Sequence, residues 1–254
     1  SEAPTEDVEN LICHGLGIVA IDRIVEISED PNPHLVAQLV LERHLRVGEA
    51  RTFGVRIKRL GEKGEWDSQS YARALGSKLM EMDSALTVNL SNPEWWVKII
   101  LEPRKVSSIE KRTLGPGGLP TGVQGDVIAQ LRTRDDVLSC FLIMRRGSRI
   151  IPVLDSQQSH LEMLKKWDPF IGVRSRTKDD KNRTFQRPAW GVVGLSIEDA
   201  EPFIERREEA IKTTPLCTLN PLCGWTEKEK QALWLHLESP SLHRPHPDTT
   251  TWFE

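Results

Sequence analysis

Arg51-Thr52-Phe53-Gly54-Val55-Arg56-Ile57-Lys58-Arg59 changes polarity at almost every step. Phe53, Val55 and Ile57 point one way while Thr52, Gly54, Arg56 and Lys58 point the other, the period of two that marks a half-buried strand. One face of this strand needs a core and the other carries cations. Upstream, LVAQLVLERHLRV at 35–47 follows Pro33 and sets Leu35 and Leu39, with Val36, Val40 and Val47, on a helical face. Downstream, Asp67 and Ser68 offer caps to a second helix in which Tyr71, Leu75, Leu79 and Met82 recur at helical spacing. Leu86, Val88 and Leu90 alternate up to an Asn92-Pro93 turn, after which Trp95, Val97, Ile99 and Leu101 alternate again. These segments make an α+β domain of two helices over a sheet.

From residue 126 onward strands alternate with helices, which argues for a parallel sheet flanked by helices. Val127–Leu131 is a short apolar strand and Asp135–Arg146 a helix. Arg149–Leu154 is a second strand, 156–166 a helix, and Trp190–Val193 a third strand. Ser196 with Asp199 caps the next helix. Thr226 and Glu229 have the spacing of a capping box for a last helix starting at Glu227. A small doubly wound α/β domain is expected.

The balance of 38% hydrophobic and 28% charged residues is that of a folded protein with a packed core rather than a disordered chain. No apolar run approaches the roughly 18 residues of a membrane span, and the acidic start SEAPTEDVEN lacks the basic, then apolar, pattern of a signal peptide. A soluble cytoplasmic protein without membrane contact is expected. The four cysteines, Cys13, Cys140, Cys217 and Cys223, form no CxxC pair, so neither a zinc site nor a disulfide framework is signalled and buried thiols are the default. His236, His243 and His246 resemble metal ligands only by count, and no metal is expected. Net charge is only -3, so any nucleic-acid role must rest on local clusters. Basic residues gather in 51–59, 104–112, 132–149 and 174–187.

Together, Thr52 to Arg59, the helix beginning near Asp67 and the strand-Asn-Pro-strand unit resemble a THUMP domain. Gly117-Gly118-Leu119-Pro120-Thr121-Gly122-Val123-Gln124-Gly125 is similar to the linker that follows it in the tRNA 4-thiouridine synthetase (tRNA sulfurtransferase) family, and Met144-Arg145-Arg146-Gly147 continues the match. The resemblance covers roughly 15–150 well and the remainder thinly. It implies an α+β THUMP-like domain at 18–112, a linker at 113–125 and an α/β doubly wound, PP-loop ATPase-like domain at 126–240. Residues 1–17 are then an N-terminal extension or remnant, in the place of the family's ferredoxin-like module, and 241–254 an extended tail. THUMP domains hold the acceptor end of tRNA. The resemblance therefore makes Arg56, Lys58 and Arg59 candidates for phosphate contact, where composition alone reads a solvated strand. Arg104, Lys105, Lys111 and Arg112 extend the track, a solvated linker being the other reading of the last two. In 171–187, Arg174, Arg176, Lys178 and Arg183 lie in an expected exposed loop that either contacts RNA or is simply solvated.

The family's PP-loop, Ser-Gly-Gly-x-Asp-Ser, uses glycines so that backbone N–H groups can close on pyrophosphate at a helix start. The corresponding stretch here reads Leu131-Arg132-Thr133-Arg134-Asp135-Asp136, without either glycine. Only the aspartate is kept, at Asp135, and Asp136 puts a second negative charge where phosphate would sit. The expectation is an RNA-binding protein with no catalytic residue and no cofactor, acting as scaffold or partner surface. Two alternatives stand beside it. One is an active ATP-dependent sulfurtransferase with Cys217 or Cys223 carrying sulfur; the other is an accessory subunit to a separate catalytic protein. A homodimer completed through Ile18, Val19 and Ile21 is a further option.

Overall fold

The computed structural model describes residues 5–43, 48–49, 51–61, 64–153, 155–175, 189–203 and 216–240. They fall into two compact units, one within 22–112 and one within 1–21 and 113–254. The segment expected as an N-terminal extension thus packs in the same unit as the C-terminal half.

The first unit holds β1 (Ala20–Ser28), α2 (Pro33–Glu42), β2 (Arg51–Arg59), α3 (Ser68–Met82), β3 (Leu86–Val88), β4 (Trp95–Glu102) and β5 (Lys105–Leu114). α1 (Thr5–His14) belongs to the other unit. The sheet order is β1-β5-β4-β2-β3. β2 is flanked by parallel neighbours, Arg51 to Phe53 against Leu86 to Val88 and Phe53 to Arg59 against Trp95 to Leu101. The strands either side of Asn92-Pro93 are therefore not neighbours, because β2 lies between them. β4 and β5 pair antiparallel, Glu102 opposite Lys105. β1 and β5 are strands that the sequence reading left unassigned. β5 takes in Lys105, Lys111 and Arg112, which corrects the linker reading of the last two.

Asp67 caps α3 by accepting from the Gln69 and Ser70 amides, and Tyr71, Leu75 and Leu79 are fully buried along one stripe. Each such burial stabilises by roughly 1.5–3 kcal/mol. α2 covers Pro33–Glu42, residues 44–47 of the expected helix lying outside the described residues, and its inward residues are Val36, Ala37, Val40 and Leu41, with Leu35 and Leu39 only half-buried. Phe53, Val97, Ile99, Leu101 and Val106 meet these helices in one core.

The second unit has a parallel sheet ordered β7-β6-β8-β9. Its elements are β6 (Asp126–Ala129), α4 (Arg134–Arg145), β7 (Arg149–Pro152), α5 (Gln158–Lys165), β8 (Ala189–Val193), α6 (Ile197–Ala200), β9 (Cys217–Thr218) and α7 (Glu227–Glu238). Asp126 and Arg149 sit opposite each other at the start of β6 and β7, joined by two hydrogen bonds of 2.8 and 3.0 Å that fix the register. Val137, Leu138, Phe141 and Met144 of α4 are fully buried, as is Cys140. Arg174 sits in a 3-10 turn, Gly172–Arg174, and not in an exposed loop; its guanidinium donates to Asp168 and to the Ile150 carbonyl. Cys217 and Cys223 are exposed rather than buried, because β9 is a two-residue edge strand and the turn after it faces solvent. No helix among the described residues is long and apolar enough to cross a membrane.

The Gly-Gly linker clasps the end of α4. Arg145 is buried and donates from Nε to the Pro116 carbonyl at 2.9 Å, while the Leu119 amide donates to the Arg145 carbonyl at 2.8 Å. Gly118 passes this carbonyl with φ +76, and a Cβ there would lie 2.2 Å from the oxygen. Gly118→Ala should therefore destabilise this unit by about 1–3 kcal/mol, read as a lowered thermal midpoint; an unchanged midpoint would show that the clasp does not need glycine.

Trp167 packs against His14, Phe141 and His236, with ring centroids 4.8, 4.7 and 5.7 Å away and the Phe141 ring edge-on. Burial, then the charge of Arg145 and then His14, push the His236 imidazole down to about 4. The unfolded chain titrates near the ordinary histidine value of about 6.5, so it takes up the proton first as pH falls. Stability from neutral His236 is full above about pH 6.5 and is lost as pH falls towards about 4. Urea unfolding across that window should show a shallower loss for His236→Gln than for the unaltered protein, and identical slopes would remove His236 from the acid response.

Candidate nucleic-acid interface

The pleat of β2 sends Phe53, Val55 and Ile57 to α2 and α3 and leaves Thr52, Gly54, Arg56 and Lys58 on the opposite face. Register with β4 brings Trp96 beside Gly54 and Lys98 beside Arg56. The indole of Trp96 occupies the space a side chain at Gly54 would fill: a Cβ there would lie 2.7 Å from the ring. The guanidinium carbon of Arg56 stands 3.8 Å from the centre of that ring. Arg56 and Lys58 are exposed, Lys98 is half-buried, and among the described residues none of the three forms an ion pair. Trp96 and Lys98 escaped the sequence reading, which followed only the apolar phase of β4; their signal was the complementary phase.

The other candidates divide. Arg59 falls on the helix-facing side of the pleat, opposite to Arg56 and Lys58, beside Leu101. Arg104 is exposed in the turn between β4 and β5. Lys105 is held by Glu26 at 2.9 Å, whose hydrogen bond and charge raise its pKa, and Arg112 lies 3.7 Å from Asp22. Lys111 is half-buried and, by alternation from Ser107, shares the face of Arg56. Arg174 is committed to Asp168. Arg176, Lys178 and Arg183 lie outside the described residues.

At the loop after β6, Thr133 caps α4 and Asp136 completes a capping box. The Asp136 carboxylate accepts from the Thr133 amide at 2.7 Å and the Arg132 amide at 3.1 Å, and the Thr133 hydroxyl accepts from the Asp136 amide at 3.2 Å. Helix α7 supplies partners for the rest of the loop. Lys230 donates to Asp135 at 2.6 Å, and Arg134 donates to Gln231 at 2.6 Å while lying 4.5 Å from the ring centre of Trp234. The hydrogen bond from Lys230 to Asp135, followed by one to Glu227, raises the ammonium pKa. Two of the amides at this helix start thus face a carboxylate of the chain itself.

Curated relatives named tRNA sulfurtransferase occur in Haemophilus influenzae (strain PittEE), 32% identical over 148 residues, and in Vibrio atlanticus (strain LGP32), 34% identical over 127 residues. These matches take in 57% and 50% of this chain but only 30% and 26% of the relatives' length. Among solved structures, a protein from Pyrococcus horikoshii Ot3 superposes with a TM-score of 0.66 at 21% identity, covering 94% of this chain and 82% of that one. A 4-thiouridine synthetase, solved in complex with RNA and with bound ATP, gives 0.59 at 16% identity, covering 99% and 81%. No protein-family model matches the chain. By sequence over about half its length, and by fold over nearly all of it, the chain resembles the tRNA 4-thiouridine synthetase family, with a THUMP-like unit and a PP-loop-like α/β unit.

Proposed function

We propose that this chain binds tRNA, or another structured RNA with a similar end, on the face of β2 and β4, and that its α/β unit serves as scaffold or partner surface in RNA modification. The observation that carries this reading is the placement of Arg56, Lys58 and Lys98 on one rigid sheet face without acidic partners among the described residues. Cations held this way pair with phosphates and position an RNA without reading its bases. The relatives named tRNA sulfurtransferase and the similarly folded synthetase solved with RNA support the same class of ligand. A cytoplasmic setting follows from that ligand.

We further propose that ATP is not bound. Pyrophosphate needs the amides at the start of α4, and the Asp136 carboxylate already holds two neighbouring amides there with charge of the same sign as phosphate. The second reading, an active ATP-dependent sulfurtransferase, draws on the exposed thiols of Cys217 and Cys223, which a sulfur carrier would require. An accessory role beside a separate catalytic protein is a form of the first reading, and co-purification tests it.

Titration with total tRNA over a salt series, with ATP–pyrophosphate exchange in parallel, separates these readings. The expected result is salt-sensitive tRNA binding without exchange. Replacing Arg56, Lys58 and Lys98 together by alanine should weaken binding about tenfold or more and flatten the salt dependence. Equal affinity for the triple variant would sink the interface, and tRNA-stimulated exchange would establish the enzyme instead. Asp136→Ala should cost about 1 kcal/mol in urea unfolding through loss of the reciprocal half of the capping box, without conferring ATP binding; an unaffected stability would mean that this carboxylate does not hold the helix start.

A further inference from the structure

Resting on the RNA-binding reading, we infer that Trp96 is a positioning residue that holds the Arg56 guanidinium ready for an RNA phosphate. Two separate features of β2 converge on this indole. Gly54 is a mid-strand glycine, which weakens a strand relative to alanine, and the space it leaves is where the ring sits. Arg56, two residues further on the same face, brings its guanidinium carbon to 3.8 Å from the ring centre.

The choice of an aromatic holder has a chemical consequence. Lys105 is hydrogen-bonded to Glu26, which uses an N–H donor as well as charge, and Arg112 is charge-paired with Asp22 at 3.7 Å. An aromatic ring engages the face of a guanidinium, whereas its five N–H donors lie in the plane and stay available at the edge. Arg56 is therefore restrained while its donors and charge remain for a phosphate. Much of the rotamer entropy that an arginine loses on binding is lost before the ligand arrives. The same stacking occupies one face of the ring, so the indole acts on RNA through Arg56 and not as a platform for a base. Lys98 beside Arg56, and Lys58 two residues along β2, widen the phosphate-facing strip.

A double-mutant cycle over a salt series tests this, with total tRNA as the probe and Arg56→Gln, Trp96→Leu, Trp96→Phe and the double variant Arg56→Gln/Trp96→Leu. Arg56→Gln should lower the slope of log affinity against log salt by about one phosphate contact, 0.7 to 0.9. Trp96→Leu should weaken binding about fivefold with the slope unchanged, because the charge remains but is no longer held. Trp96→Phe should recover most of that loss, and the double variant should bind no more weakly than Arg56→Gln alone. Wild-type affinity in Trp96→Leu, a loss in the double variant equal to the product of the single losses, or no recovery with phenylalanine would each overturn the role of Trp96 while leaving RNA binding intact. Absence of tRNA binding by the unaltered protein would overturn both readings together.

Discussion

The pleat of β2 constrains most of the first unit. A strand with parallel partners on both sides can change its twist or register only by breaking two ladders, so its nine residues hold a fixed two-faced pattern. The odd phase, Phe53, Val55 and Ile57, needs the helices α2 and α3 above it, and the buried stripe of Tyr71, Leu75 and Leu79 supplies the matching surface. The even phase is then directed away from the core with no freedom to turn back. A one-residue slip would bury Arg56 and Lys58 and expose Phe53, which makes the register of the cations as secure as the core itself.

The second unit depends on a different kind of constraint, the satisfaction of groups at helix ends. At the start of α4, Thr133 and Asp136 cap each other's backbone; at its end, the Pro116 carbonyl and the Leu119 amide meet Arg145. Both devices are local. A capping box stabilises a helix start by filling the same space and bonding the same kind of amide that a phosphate loop keeps open, so helix stability and nucleotide binding compete for one set of donors. Glycine at the loop favours the ligand; Thr133 and Asp136 favour the helix.

Much of this was legible along the chain. The alternation of β2, the Asp67 cap and stripe of α3, the Ser196 cap and the capping box at Thr226 are interactions among residues within a few positions of one another, and the structure forms each of them. β1 and β5 were missed because charged and hydroxyl side chains interrupt their apolar phase, as in Lys105-Val106-Ser107-Ser108-Ile109-Glu110, and pairing with a neighbour is what makes them strands. Arg174 was read as loop charge because Asp168, its partner, has no sequence mark distinguishing it from any other acid.

Sequence alone determined the phase of β2 and β4, the caps of α3, α6 and α7, the concentration of cations in β2 and the absence of glycine after β6, since all of these are written in contiguous residues. Tertiary structure decided which cations remain available. Lys105 and Arg112 meet acids on the neighbouring strand β1, Arg59 turns to the helix side, and Arg56 meets the ring of Trp96 only because β4 runs beside β2 in a register that sets that ring over Gly54. The physical reason is that charge is a property of a residue, whereas its availability depends on what the fold brings within a few ångströms of it.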